Sequence, residues 1–273
     1  MKSRAHDLEF LAINEQVWGN AFVASEAMYL MILDITGHCL KYANTLSQEE
    51  RLEKYFTFTT IQQPHARAMQ QFLEIITLMR NGFTDCAYAR WRSLYEISVI
   101  ASFIVNQGEK VAEAFIDSIA TEKQYEWAKS SGLFSKSKRV TFNDIRKHSD
   151  IQSSLYDQYS LASKLIHASS DGTFSRFGSP NDSEDILIGR SDYGITTPAE
   201  HSAISLVQIT SILLEIFPSD LNSVSEKYIV NWIQVIRESY FKIHDEAFPK
   251  EEKLWKDGMV SFLNNEFEKA EEE

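Results

Sequence analysis

The sequence predicts an all-α protein: a single irregular multi-helix bundle spanning 1–273, with one long Gly/Ser-rich loop that could hold a short hairpin. Three observations carry this. Apolar residues recur at helical spacing, as in Met69, Phe72, Leu73 and Ile76. Helix start and stop signals follow one another along the chain. A hydrophobic fraction of 44% and an aromatic fraction of 12% are ample for a packed core.

Taken in order, Phe10 to Tyr42 reads as a long first helix. Ser47-Gln48-Glu49-Glu50 is a capping box, in which the serine hydroxyl takes an orphan amide and Glu50 reaches back to the cap. It opens a second helix that Pro64 interrupts or restarts, because proline has no amide to donate. Asn81-Gly82 ends that helix, both residues tolerating the left-handed conformation. Phe83 to Val105 then returns as the second arm of a tight hairpin and Gly108 closes it. Glu109 to Lys129 reads as an amphipathic helix, 130–149 as irregular with a short helix at Asn143 to His148, and Ile151 to Ser169 as helical. Residues 168–197 hold Gly172, Gly178, Gly189, Gly194 and Pro180 and read as a long loop, with a short strand at Glu184 to Gly189. Thr197-Pro198-Ala199-Glu200 opens a helix to Phe217, Ser223-Val224-Ser225-Glu226 opens another to Ala247, and a charged helix ends the chain. The core of the domain is expected at about 65–217.

The formal charge is −12, from 39 acids and 27 bases, which argues against a general nucleic-acid coat but leaves room for a local basic patch. Residues 250–273 contribute eight of the acids, as a solvated helix end. Cys39 and Cys86 read as small buried hydrophobes in a reducing compartment. With no signal-peptide core and no run long enough to span a bilayer, the expectation is a cytoplasmic protein with no membrane contact.

Three constellations could carry chemistry. The arm Phe83 to Val105 is apolar on nearly all sides, yet it holds Arg90 on one face and Arg92 with Glu96 on the other. Arg92 and Glu96 stand at i, i+4 and can pair, either as a structural pair that sets helix register or as a polar pocket. Arg80, just before the turn, is a further cation in this greasy stretch. Tyr156, Ser160, Ser163 and His167 share one helical stripe beside the apolar stripe Leu155, Tyr159, Ala162 and Ile166, and His167 titrates near working pH. Lys129, Lys136, Lys138, Arg139, Arg146 and Lys147, with Phe134 and Phe142 interleaved, form a patch suited to phosphate or RNA. The histidines have no metal-ligand spacing, and neither a phosphate-binding glycine loop nor a nucleophile elbow occurs. No metal and no cofactor is expected.

The helix ending Arg80-Asn81-Gly82, then Ala87 and Arg92-Ser93-Leu94-Tyr95-Glu96, then Tyr156, Ser160 and His167, resembles a bacterial helical domain-of-unknown-function family, DUF5677, over about 65–217. That resemblance implies an all-helical fold in which these two segments pair. More loosely the chain resembles HEPN-type helical bundles, in which an arginine four to six residues before a histidine implies metal-independent RNA cleavage across a dimer. Here the positions before His167 are Ser160, Leu161 and Ala162, so Arg92 would have to reach His167 in space.

Two functions are therefore expected. One is a binding, interaction or sensor module built on an Arg92–Glu96–His167 polar site, with a protein partner or a second copy. The other is a HEPN-like ribonuclease or RNA-binding effector in stress or phage defence. In that reading His167 is the acid/base, Arg92 the phosphate ligand, Glu96 its orienter, and the 129–147 patch the backbone grip.

Overall fold

A computed structural model of the chain describes residues 2–120, 124–151, 154–166 and 189–248. Among these residues the fold is helical throughout, and the one extended contact is an isolated parallel bridge between Phe83 and Ser191. The helices are α1 (Lys2–Ala43), α2 (Gln48–Glu53), α3 (Tyr55–Arg80), α4 (Thr84–Gln107), α5 (Glu109–Asp117), α6 (Phe142–Arg146), α7 (Ser154–Ile166), α8 (Thr196–Ile216) and α9 (Asp220–Ala247). Two 3-10 segments, Ser118–Ala120 and Glu126–Ser131, link α5 to α6.

α4 is the central helix and touches α3, α5, α6, α7 and α8. Its Tyr88, Trp91, Leu94, Tyr95, Val99 and Phe103 are fully buried. Such rings bury large apolar areas, and the polar tips of Tyr88 and Trp91 find acceptors: Trp91 Nε1 donates to Ser205 Oγ at 3.0 Å and Tyr88 Oη to Gln158 at 2.9 Å. His65 of α3 meets Thr210 Oγ1 of α8 at 3.0 Å inside the core. α1 and α9 run antiparallel along one flank, tied by Tyr42 Oη to the Pro218 carbonyl at one end and by Ser25 to Tyr240 further along.

The α3–α4 turn forms as its residues dictate. Gly82 takes φ +75°, its amide bonds Met79 O, and the Phe83 amide bonds Leu78 O, which closes the helix in a Schellman pattern. Asn14 Nδ2 of α1 takes the Met79 and Arg80 carbonyls, so the helix end is satisfied from a neighbour. The capping box Ser47/Glu50 is present as the sequence predicts. Gly108, φ +82°, closes α4.

Several boundaries differ from expectation. Pro64 neither breaks nor restarts a helix: α3 runs through it, and the break falls at Lys54. The missing proline amide costs one bond, and burial of Ile61, His65 and Ala68 on the same helix outweighs it. The N-terminus of α3 is capped by Glu109 of α5, whose carboxylate accepts from the amides of Phe56 and Thr57 at 2.8 and 2.9 Å. The expected helix Glu109 to Lys129 stops at Asp117, and Ser118–Ala120 and Glu126–Ser131 are 3-10 segments instead. α6 begins earlier than expected, at a capping box made by Thr141 and Asp144. α8 starts at Thr196 with Ile195 before it, so no side chain caps it. α9 starts at Asp220, where Ser219 Oγ accepts from the Asn222 amide. Cys39 is buried as expected, but Cys86 is exposed, on the outer face of α4. The proposed strand at Glu184 to Gly189, all but its last residue, and the charged C-terminal helix lie outside the described residues, as does most of the 168–197 loop. No helix among the described residues is long and apolar enough to cross a membrane.

Candidate functional site

Arg92 and Glu96 lie one turn apart on α4 and face α7. Arg92 Nη2 stands 2.8 Å from Glu96 Oε1. The same guanidinium donates through Nε to Ser163 Oγ at 2.9 Å and through Nη2 to Tyr159 Oη at 3.2 Å. Tyr159 Oη in turn donates to Glu96 Oε1 at 2.7 Å, and Ser163 Oγ donates to the Tyr159 carbonyl. The ring of Tyr159 lies beneath the guanidinium, 5.1 Å from it. Every bond in this circuit joins α4 to α7 or fixes a rotamer within one of them.

The pair is not sealed. The Arg92 side chain is 30% exposed and that of Glu96 25%. Solvent therefore reaches a side chain whose guanidinium is already held in place. Arg92 Nη1 and Glu96 Oε2 make no bond among the described residues. Tyr125, at the start of the second 3-10 segment, brings its phenol close enough to feel both charges; burial pushes its pKa up, Glu96 adds to the rise and Arg92 opposes it. Burial pushes Tyr159 to about 12, and the bond to Glu96 adds to this. Both phenols are therefore donors at neutral pH.

An aromatic row leads away from this centre. Tyr159 stacks on Tyr156 at 6.0 Å, and the Arg146 guanidinium lies 3.8 Å over the Tyr156 ring. Tyr95 and Phe142 also pack on Tyr159, at 5.3 and 5.2 Å. The buried Tyr95 hydroxyl has no partner among the described residues. Burial pushes its pKa up to about 12; Arg146 lowers it and Tyr156 raises it, so both are within electrostatic reach.

The other candidates are placed as follows. Ser160 is exposed and apart from the circuit. Arg80 is held between Glu15 at 3.0 Å and Glu26 at 2.6 Å, over the Phe22 ring, tying α3 to α1. Arg90 pairs with Glu74 across the α3–α4 hairpin, in a shallow groove shared with Leu73, Cys86 and Ser93. His167 lies outside the described residues. In the basic patch Lys136, Lys138, Arg139 and Lys147 are exposed and Lys129 pairs with Glu126 at 2.8 Å. The aromatics of the patch are not surface rings. Phe134 is 7% exposed and stacks on Phe103, and Phe142 packs under Tyr95 and Tyr159, so neither offers an open face for a base. No group of three or more metal-ligating side chains occurs among the described residues.

Tyr159 and Tyr125 are the residues that spacing missed. Tyr159 falls in the apolar stripe of α7, but a half-buried tyrosine needs a partner for its hydroxyl, and the unpaired oxygens of Glu96 offered one.

Neither the curated proteins nor the solved structures hold a match to this chain. Residues 59–124, which run from α3 through α5 and include Arg80-Asn81-Gly82, Arg92 and Glu96, match the model of a family of unknown function (DUF5677).

Proposed function

We propose that the chain is a ligand-binding module whose site is the Arg92–Glu96 pair with Tyr125, Tyr159 and Ser163. One observation carries this: the guanidinium is fixed by three acceptors and a ring, yet the side chain that bears it is 30% exposed and one of its nitrogens makes no bond among the described residues. A purely structural pair gains little from such exposure, since exposed pairs contribute ~0–1 kcal/mol. A recognition site gains from it, because a preorganised donor binds without a further ordering cost. The test is thermal unfolding of the full chain with a panel of nucleosides, nucleotides, amino acids and dicarboxylates, in parallel with Arg92→Lys. At least one probe should raise the wild-type midpoint and leave the variant unmoved. A panel that shifts neither protein, or both equally, removes the proposal.

A HEPN-like, metal-independent ribonuclease is the second reading, and the Arg92–Ser163 bond favours it. That bond holds the arginine to α7, four residues in sequence before His167. The exposed Lys136, Lys138, Arg139 and Lys147 would then grip the phosphate backbone. RNA cleavage in excess chelator that is abolished by His167→Ala supports this reading; cleavage that survives the substitution sinks it.

A further inference from the structure

We infer that the ligand of the Arg92–Glu96 site is a nucleoside monophosphate, its base read by Arg92 and Glu96 and its phosphate held by Arg146. The inference rests on the binding reading above and names the ligand class for that site.

The charge balance comes first. Arg92 is neutralised by Glu96 at 2.8 Å, so the pair attracts no anion strongly. It presents one donor, Arg92 Nη1, and one acceptor, Glu96 Oε2, that are unspent among the described residues. The complement is a neutral edge with an acceptor next to a donor, as every nucleobase carries; arginine on purine acceptors and carboxylates on base amino groups are established pairings. Tyr125 lies within electrostatic reach of the same pair, and aromatic side chains stack on bases.

Arg146 supplies what the pair lacks. Its Nε and Nη2 donate to Asn143 Oδ1 at 3.2 and 3.0 Å, and no carboxylate lies within ion-pair distance among the described residues. It is half-buried, so its charge is less screened than that of the exposed lysines around it. Its guanidinium is held over the Tyr156 ring at 3.8 Å, with Nη1 unused among the described residues. Tyr156 stacks on Tyr159, and Tyr159 lies under Arg92, so the two arginines end one continuous aromatic row. The buried Tyr95 hydroxyl, within electrostatic reach of Arg146, has no acceptor among the described residues. A phosphate oxygen at the free Arg146 nitrogen would serve that cation.

The experiment is isothermal titration of the full chain with GMP, AMP, CMP and UMP and with the matching nucleosides, on wild type, Arg146→Gln and Glu96→Gln. At least one nucleotide should bind, about tenfold or more tighter than its nucleoside. Arg146→Gln should reduce that nucleotide to the affinity of the nucleoside and leave the nucleoside unchanged. Glu96→Gln, which keeps the shape of the side chain, should weaken both by about tenfold. Circular dichroism and the unfolding midpoint of each variant separate lost binding from lost fold. Equal affinity for nucleotide and nucleoside in wild type, or an equal effect of Arg146→Gln on both, overturns the inference. So does binding of inorganic phosphate alone, or of an oligoribonucleotide but no mononucleotide. If no nucleotide binds while another probe still stabilises wild type and not Arg92→Lys, this inference falls and the binding module stands.

Discussion

Replacing Arg92 with alanine measures how open the site is. The substitution removes the bonds to Ser163 Oγ and Tyr159 Oη, the 2.8 Å pair with Glu96 and the stack over Tyr159. In a dry core the loss would be ~3–5 kcal/mol, because Glu96 would be left as an unpaired buried charge. Glu96 is 25% exposed and keeps the 2.7 Å bond from Tyr159, so water and the phenol together take over the role of the cation. The pair then contributes ~1 kcal/mol or less. The cation–π contact adds ~0.5–1 kcal/mol. The two neutral acceptors add a further fraction, since water replaces a guanidinium that is already partly wet. The expected loss is about 2 kcal/mol, read as a shift of the urea midpoint at pH 7 with an unchanged slope. A loss of about 4 kcal/mol or more would mean that the pair is sealed and structural. A loss under about 0.5 kcal/mol would mean that the circuit between α4 and α7 does not form in solution.

Acid should destabilise the fold through its buried histidines. Burial depresses His65 and His201 from 6.5 to about 4. The unfolded chain therefore binds protons that the folded one refuses, and stability falls as the pH drops from 6.5 towards 4, by about 2 kcal/mol per histidine at pH 5. Glu200 and Glu215, both pushed up by burial, act in the opposite sense and reduce the net loss. Urea melts at pH 7 and 5 should show the drop in wild type and a smaller one in His65→Gln; a flat profile contradicts the burial of these rings. Gly82→Ala should cost about 2 kcal/mol or more, since φ is +75° and a Cβ would sit 2.6 Å from the Phe10 ring. A neutral substitution there would mean that the α3–α4 turn is free of α1. Phe134→Ala should cost about 3–5 kcal/mol as a core truncation and should unfold the chain at lower urea. A fully stable variant would restore Phe134 as a surface ring of the basic patch.

Local signals were legible in the chain and long-range partners were not. The Ser47/Glu50 box and the Asn81-Gly82 turn are set by residues within four positions, and both form as expected. The Arg92–Glu96 pair was visible for the same reason. Pro64 misled because tertiary burial of α3 outweighs one missing bond, and the true cap of α3 is Glu109, more than fifty residues away. Arg80 and Arg90 look like free cations in sequence, but their acids come from α1 and from the opposite arm of the hairpin. Tyr159 was assigned to an apolar stripe on periodicity alone, which says which face is turned inward but not that a hydroxyl at its edge meets a carboxylate on another helix. The interleaving of Phe134 and Phe142 with lysines resembled a nucleic-acid surface, but in a loop that folds back on the core the rings turn in and the ammonium groups turn out.

The central claim is that the open guanidinium of Arg92 is a recognition group. Diffraction from crystals of the full chain soaked in GMP tests it most directly. The account predicts density for the base against Arg92 Nη1 and Glu96 Oε2, with the bonds to Ser163 and Tyr159 retained. A ligand bound elsewhere, or a site left empty at a concentration that saturates the protein in solution, would contradict it.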